Sequence, residues 1–187
     1  MVSIMSKEVK ININNFNAIK KALMNAGLTG NKLLLALAQV GHETGGYTNE
    51  KIKTHNNASG ITFINNPTKQ KNATRGNPLP EAPKYAYAKF DTLNDWANDY
   101  LRLVGKSLNS SSDPNTYAKK LASQRYYEVS ARYPNAVSNY TKGLSYWSNI
   151  ANKASNIASE TGKTIFENKN TIIPIILLSL GLFFIFR

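Results

Sequence analysis

The sequence predicts an α+β chain, mostly helical, that ends in a C-terminal transmembrane helix. Three observations carry this expectation. Apolar residues recur at helical spacing on both sides of the chain's middle, the middle itself is punctuated by Asn, Gly and Pro, and residues 172–186 are almost wholly apolar. Taken in order, a first helix is expected over about Asn15 to Ala26. Phe16, Ile19, Leu23 and Met24 share one face there, and Gly27 stops it. Thr29 is placed to cap a second helix over roughly Asn31 to Thr44. Its run from Leu33 to Val40 is apolar nearly all round, the mark of a helix buried in a core.

From Lys51 to Lys89 the breakers are too frequent for a long helix. A long loop with short strands is expected, Ile61–Ile64 and Tyr85–Phe90 being the best candidates; a stretch of this length is usually functional. Thr92 and Asp95 then have capping-box spacing, and Leu93, Trp96, Tyr100, Leu101 and Val104 form an apolar stripe down to Gly105. Ser110 to Pro114 turns into a short helix with Tyr117, Ala118 and Leu121. A last helix begins near Asn135 with Val137, Tyr140, Leu144, Tyr146 and Trp147. Beyond it Ile150, Ala154, Ile157, Thr161 and Ile165 describe a weakly amphipathic helix, packed on the domain or forming a stalk. The expected division is a domain over 11–150, a helical stalk or linker over 151–170 and a tail anchor over 171–187.

The 187 residues suit one domain and an appendage. With no cysteine, disulfides, zinc–thiolate sites and Cys nucleophiles are excluded. The two histidines, His42 and His55, leave little scope for a metal centre, and neither cofactor nor metal is expected. Met1 to Lys10 contains Lys7 and Glu8 and lacks an apolar h-region, so no secretory signal is expected there. Thr171 to Phe186 spans roughly 24 Å as a helix at about 1.5 Å per residue, short against a hydrocarbon core of about 30 Å. Its freedom from charge, with Lys169 and Arg187 as brackets, favours a membrane anchor over a buried core helix.

One carboxylate stands apart. Glu43 is the sole acid between Glu8 and Glu50 and ends the most apolar helix. Apolar packing and a helix C-terminus both disfavour an ionised carboxyl and raise its pKa. A carboxyl still protonated near neutral pH is the proton donor that glycosidic cleavage requires. Position alone is equally compatible with a helix-end Glu turned to water.

The residues around it resemble a known family. Ala38-Gln39-Val40-Gly41-His42-Glu43-Thr44-Gly45 is similar to the Ala-Gln-x-x-x-Glu-Ser/Thr-Gly motif of glucosaminidase-family peptidoglycan hydrolases. Asn56-Asn57-Ala58-Ser59-Gly60-Ile61 resembles that family's Asn-Asn-Leu-Phe-Gly-Ile, and Ala88 through Tyr100 its Phe-x-x-Tyr-x-Ser-x-x-Glu-Ser-x-x-Asp-Tyr stretch. Leu121–Tyr127 and then Tyr140–Leu144 look like its ending. The resemblance covers roughly residues 17–150. It implies a lysozyme-like domain with a long loop or small β-hairpin lobe, hydrolysing the β-1,4 bond after N-acetylglucosamine in peptidoglycan.

On this resemblance Glu43 is the general acid. The family's second carboxylate lies between the two central motifs, where this chain offers only Glu81, the candidate base that activates water; Glu50 is the poorer alternative. The family's cleft tyrosine maps to Tyr126 or Tyr127, and Tyr127 is favoured, although Arg125 stands where Gly is usual and leaves the register open by one. His42 points away from Glu43, since neighbours on a helix diverge by about 100°, and reads as structural or rim. Asn57 and Gly60 belong to the expected substrate-binding set. Tyr85 and Tyr87 alternate onto one strand face and are the better groove aromatics, whereas Trp96 and Tyr100 fit the core.

The formal net charge of +12 is spread along the chain without a basic run or phosphate loop. It fits attraction to a polyanionic bacterial envelope better than nucleic-acid binding. An anchored basic domain without a signal belongs on the cytoplasmic side by the positive-inside tendency, whereas peptidoglycan lies outside. A single-pass protein in the membrane of a bacteriophage virion, acting at entry or lysis, resolves the conflict; the bacterial envelope is the other location. The partners expected are thus peptidoglycan and, through residues 171–187, a lipid membrane. The nearest rival is a lytic transglycosylase using Glu43 alone. From another class comes a non-catalytic, membrane-anchored virion structural or nucleic-acid-binding protein.

Overall fold

The buried run from Leu35 to Gly41 sets the architecture, because a helix apolar all round must be surrounded. The computed structural model describes residues 9–160 and 172–173, with side chains from 11 to 156. Helix α1 (Ile13–Asn25) and helix α2 (Gly30–Glu43) come first. Asn12 caps α1 by accepting from Asn15 N at 3.1 Å. Thr29 occupies the N-cap of α2 in extended conformation, yet makes no side-chain cap bond. A single turn, α3 (Lys51–Thr54), leads to the hairpin of β2 (Ala73–Leu79) and β3 (Ala82–Phe90). Then follow α4 (Leu93–Asn109), α5 (Pro114–Ser123) and the long α6 (Ala136–Glu160).

The hairpin forms where the breakers cluster. Its strands are antiparallel, with Ala73 opposite Phe90 and Leu79 opposite Ala82, and register shifts between Arg75 and Leu79 absorb Pro78. Ala86, Ala88 and Phe90 face the core while Lys84, Tyr85 and Lys89 are exposed. The strand expected over Ile61–Ile64 is reduced to a bridge between Thr62 and Tyr87. It is held by Phe63 N to Ala86 O and Ala88 N to Ile61 O, each 2.8 Å.

Helices α2 and α6 approach closely because each gives up a side chain where the other presents a ring. A methyl group on Gly143 of α6 would lie 2.4 Å from His42 Cε1, and one on Gly41 of α2 would lie 2.8 Å from Trp147 Cε3. Ile150, Ala151 and Ala154 remain buried, so α6 continues packing into the segment expected as stalk or linker. The remainder of 151–170 and Ile157, Thr161 and Ile165 include positions outside the described side chains.

The expected fold class, a lysozyme-like domain with a C-terminal transmembrane helix, is corrected. Among the described residues the chain is a mostly helical α+β structure of six helices and two small two-stranded sheets. No helix among the described residues is long and apolar enough to cross a membrane. The longest, α6, has the length, but Lys142, Lys153 and many Asn and Ser residues interrupt it. Within the expected anchor, Ile172–Ile173 form a strand, β4, antiparallel to β1 (Val9–Lys10). These β-branched residues take their backbone partners from another strand rather than from a helical turn. The rest of 171–187 lies outside the described residues. The single-pass membrane placement, in a virion or a bacterial envelope, falls with the helix on which it rested.

Candidate active site

Gln39 and Glu43 lie four residues apart on α2, so their side chains meet on one face. Gln39 Nε2 donates to Glu43 Oε1 at 3.0 Å. The orientation of the amide follows from its other end. Tyr100 donates to Gln39 Oε1 at 2.7 Å, and Tyr117 donates to the same oxygen. With Oε1 accepting from the two hydroxyls, the NH2 is turned toward Glu43, where it meets an oxygen that only accepts when ionised. Gln39, Tyr100 and Tyr117 are fully buried.

Two more tyrosines close on the carboxyl from the C-terminal half. Tyr140 of α6 donates to Oε1 at 2.9 Å, and Tyr126 donates to Oε2 at 3.2 Å. Tyr140 is held by a stack on Tyr127, with ring centroids 4.4 Å apart, and by the edge of His42 at 5.1 Å. Burial pushes the Tyr100, Tyr126 and Tyr140 hydroxyls well above the usual phenol range, so they remain donors.

Glu43 as a residue is half-buried. Burial raises its pKa from 4.5 to about 7, while the hydrogen bonds from Gln39, Tyr140 and Tyr126 pull the other way. Oε1 receives two donors and Oε2 one. Protonation therefore costs less at Oε2, where one hydroxyl has to turn from donor to acceptor. Of the two oxygens, Oε2 is the better placed to carry a proton.

Tyr126, not the favoured Tyr127, touches Glu43. Tyr127 is buried and donates to Ala118 O at 2.9 Å. The chain reversal after α5 explains the choice. Arg125 N bonds Ala122 O, Tyr126 N bonds Leu121 O, and Arg125 has φ +57°. This is a Schellman ending with Arg in the position that favours Gly.

Glu81 sits exposed at the β2–β3 turn. Its charge acts on the Tyr87 hydroxyl, and no hydrogen bond joins it to the Glu43 cluster. Glu50 is exposed at the N-cap of α3, likewise apart from the cluster. Asn57 is buried and spends its amide on the backbone, donating to Ile61 O and Ala88 O and accepting from Ile61 N. Gly60 has φ +65°, with Tyr87 Cε1 3.7 Å from the position of an added methyl. Tyr85 is exposed and Tyr87 half-buried on the outer face of β3. His42 sits between α2 and Gly143, and burial lowers its pKa to about 4. No group of three His, Cys, Asp or Glu among the described residues is arranged to hold a metal ion.

Sequence reasoning missed the roles of Gln39, Tyr100, Tyr117 and Tyr140. Only Gln39 announced itself, by its four-residue spacing from Glu43.

No family model matches the chain, and no curated protein matches it. It is similar to a solved structure described as a type VI secretion system effector-immunity complex from Pseudomonas protegens. Identity is 18%, the TM-score 0.48, and the match covers 74% of this chain and 94% of that one. The expected membership of the glucosaminidase family, and with it the bacteriophage virion assignment, is corrected accordingly. The motif likeness is local, a few side chains at a time, and no family model extends it along the chain.

Proposed function

We propose that the chain cleaves β-1,4 glycosidic bonds in bacterial peptidoglycan, with Glu43 as the general acid. The observation that carries this reading is a carboxyl whose burial raises its pKa to about 7, one oxygen held by Gln39 and Tyr140. Near neutral pH a sizeable fraction retains its proton, which suits donation to a poor leaving group. Glu43 Oε2–H passes its proton to the glycosidic oxygen as the bond from that oxygen to the anomeric carbon breaks. A water molecule adds to the anomeric carbon and releases its second proton to a base or to solvent. The formal charge of +12 supports an anionic envelope as the setting.

A second reading has its own support. Among the described residues the hydrogen-bond partners of Glu43 are an amide and two phenols, with no paired carboxylate, and Glu50 and Glu81 stand exposed away from it. In a lytic transglycosylase the donated proton leaves with the departing oxygen, the substrate's own hydroxyl attacks the anomeric carbon, and the Glu43 carboxylate takes the proton of that attacking hydroxyl. Mass spectrometry of digested peptidoglycan separates the two, since hydrolysis leaves reducing ends and the internal attack leaves anhydro-sugar ends. A zymogram of wild type beside Glu43→Gln tests both against a non-catalytic role. Equal clearing by the two proteins ends the catalytic reading.

A further inference from the structure

The hairpin lobe carries charge that the Glu43 cluster does not use. Between residues 51 and 90 the chain has seven Lys and Arg against one acid, Glu81. The one ion pair among the described residues, Arg102 with Asp99, lies on α4, so none of the seven is neutralised in this way. Half of the formal net charge of +12 is concentrated in these forty residues.

Part of this charge is organised around two aromatic rings. Lys51 Nζ lies 4.3 Å from the centroid of Tyr87, and Lys84 Nζ lies 5.0 Å from that of Tyr85. Lys89 continues the outer face of β3 and is exposed. The charges of Lys51 and Lys89 reach inward as far as His55, where they add to burial in lowering its pKa. Along β3 from Tyr85 to Lys89 the patch runs about 13 Å at roughly 3.3 Å per residue.

The ammonium groups decide what this surface reads. A neutral sugar or a nucleobase stacks on an open aromatic face, and here one face of each ring already carries a cation. A polyanion needs no such displacement: its charges meet the Lys51 and Lys84 ammonium groups, each held in place by the ring beneath, and the exposed Lys89 beside them. We infer that the exposed side of the hairpin lobe, through Lys51 over Tyr87, Lys84 over Tyr85 and the neighbouring exposed Lys89, binds a linear phosphodiester polymer of the bacterial wall. The wall as the polymer's source rests on the function proposed above; the preference for an anionic chain over a neutral glycan does not. Such a contact holds the chain on its substrate's surroundings while Glu43 works elsewhere.

The test is calorimetric titration of the full chain with poly(glycerol phosphate), and with duplex DNA at equal phosphate concentration. Wild type is compared with the triple variant Lys51→Gln, Lys84→Gln, Lys89→Gln, and with a control triple, Lys20→Gln, Lys21→Gln, Lys119→Gln, that removes the same charge elsewhere. The hairpin triple is expected to weaken poly(glycerol phosphate) binding at least tenfold and to flatten its salt dependence by about two to three charges. The control is expected to change affinity less than threefold. Lys84→Gln and Lys89→Gln alone, both at exposed positions, give partial losses if the patch acts as a unit, and these guard against misfolding of the triple. Equal weakening by both triples, or no binding by wild type, overturns the inference. Tighter binding to duplex DNA with the same sensitivity overturns it in favour of a nucleic-acid surface. Glu43→Gln is expected to bind as wild type does, so failure of the catalytic reading leaves this outcome readable.

Discussion

Gln39 holds Glu43 from one helical turn away, its amide donating to Oε1 at 3.0 Å while two tyrosine hydroxyls fix the amide's other end. The carboxyl is therefore oriented from behind by groups that cannot ionise near neutral pH.

Replacing Glu43 with Gln is expected to lower glycosidic cleavage by about 10²–10⁴-fold, the usual contribution of a positioned acid. Stability should move the other way. Because the folded-state pKa of about 7 lies above the ordinary 4.5, the native state binds the proton more tightly than the unfolded chain. Its stability is then greatest below pH 4.5 as far as this group is concerned. It falls as the pH rises to about 7, by on the order of 3 kcal/mol. Chemical denaturation at pH 5 and pH 8 should show this loss in wild type and its absence in Glu43→Gln.

Gln39→Leu removes a donor that holds the Glu43 pKa down, so the pKa should rise and activity persist to higher pH. The variant also leaves the buried Tyr100 and Tyr117 hydroxyls short of an acceptor, at a cost of about 1–3 kcal/mol. A ¹³C-NMR titration of the Glu43 carboxyl reads the shift without relying on turnover, and an unmoved midpoint rules out the orienting role.

Two adjacent tyrosines should behave differently. Tyr126→Phe takes the hydroxyl from Oε2 and should raise the Glu43 midpoint. Tyr127→Phe loses only a bond to Ala118 O and should cost about 1 kcal/mol of stability, with the Glu43 titration unchanged. Measuring both midpoints decides which residue belongs to the site.

Asn57→Ala should act on folding rather than on sugar binding. Ile61 N and Ala88 O lose their bonds to Asn57 while Ile61 O keeps Ala88 N, and a destabilisation of about 2 kcal/mol is expected from buried groups left short of a partner. A rise in KM with unchanged denaturation midpoint would instead mark Asn57 as a substrate contact.

Arg125→Gly should stabilise the chain by about 1 kcal/mol, because a left-handed position without a Cβ is relieved of its clash. An unchanged thermal midpoint would falsify the strain at this turn.

Helices were legible where apolar periodicity and caps coincide. The second helix was expected over Asn31 to Thr44 and runs Gly30–Glu43; Thr92 caps α4 by accepting from Asp95 N, as its spacing predicts. Strand β2 is hidden in the sequence, because Gly76, Asn77 and Pro78 are loop residues by local preference. Pairing with β3 across a bulge overrides that preference. The acid itself was legible from its isolation at the end of an apolar helix. The groups that hold it were not, since Tyr126 and Tyr140 lie 83 and 97 residues away and no local spacing encodes such contacts.

The paired glycines between α2 and α6 bear on these long-range contacts. Gly41 receives Trp147, and Gly143 receives His42, with no room for a methyl group at either place. The bond from Tyr140 to Glu43 bridges the same two helices. The reach of a proton donor is thus calibrated by two hydrogen atoms where other residues have side chains. A single methyl at Gly143, meeting the His42 ring rather than the carboxyl, would detune the site.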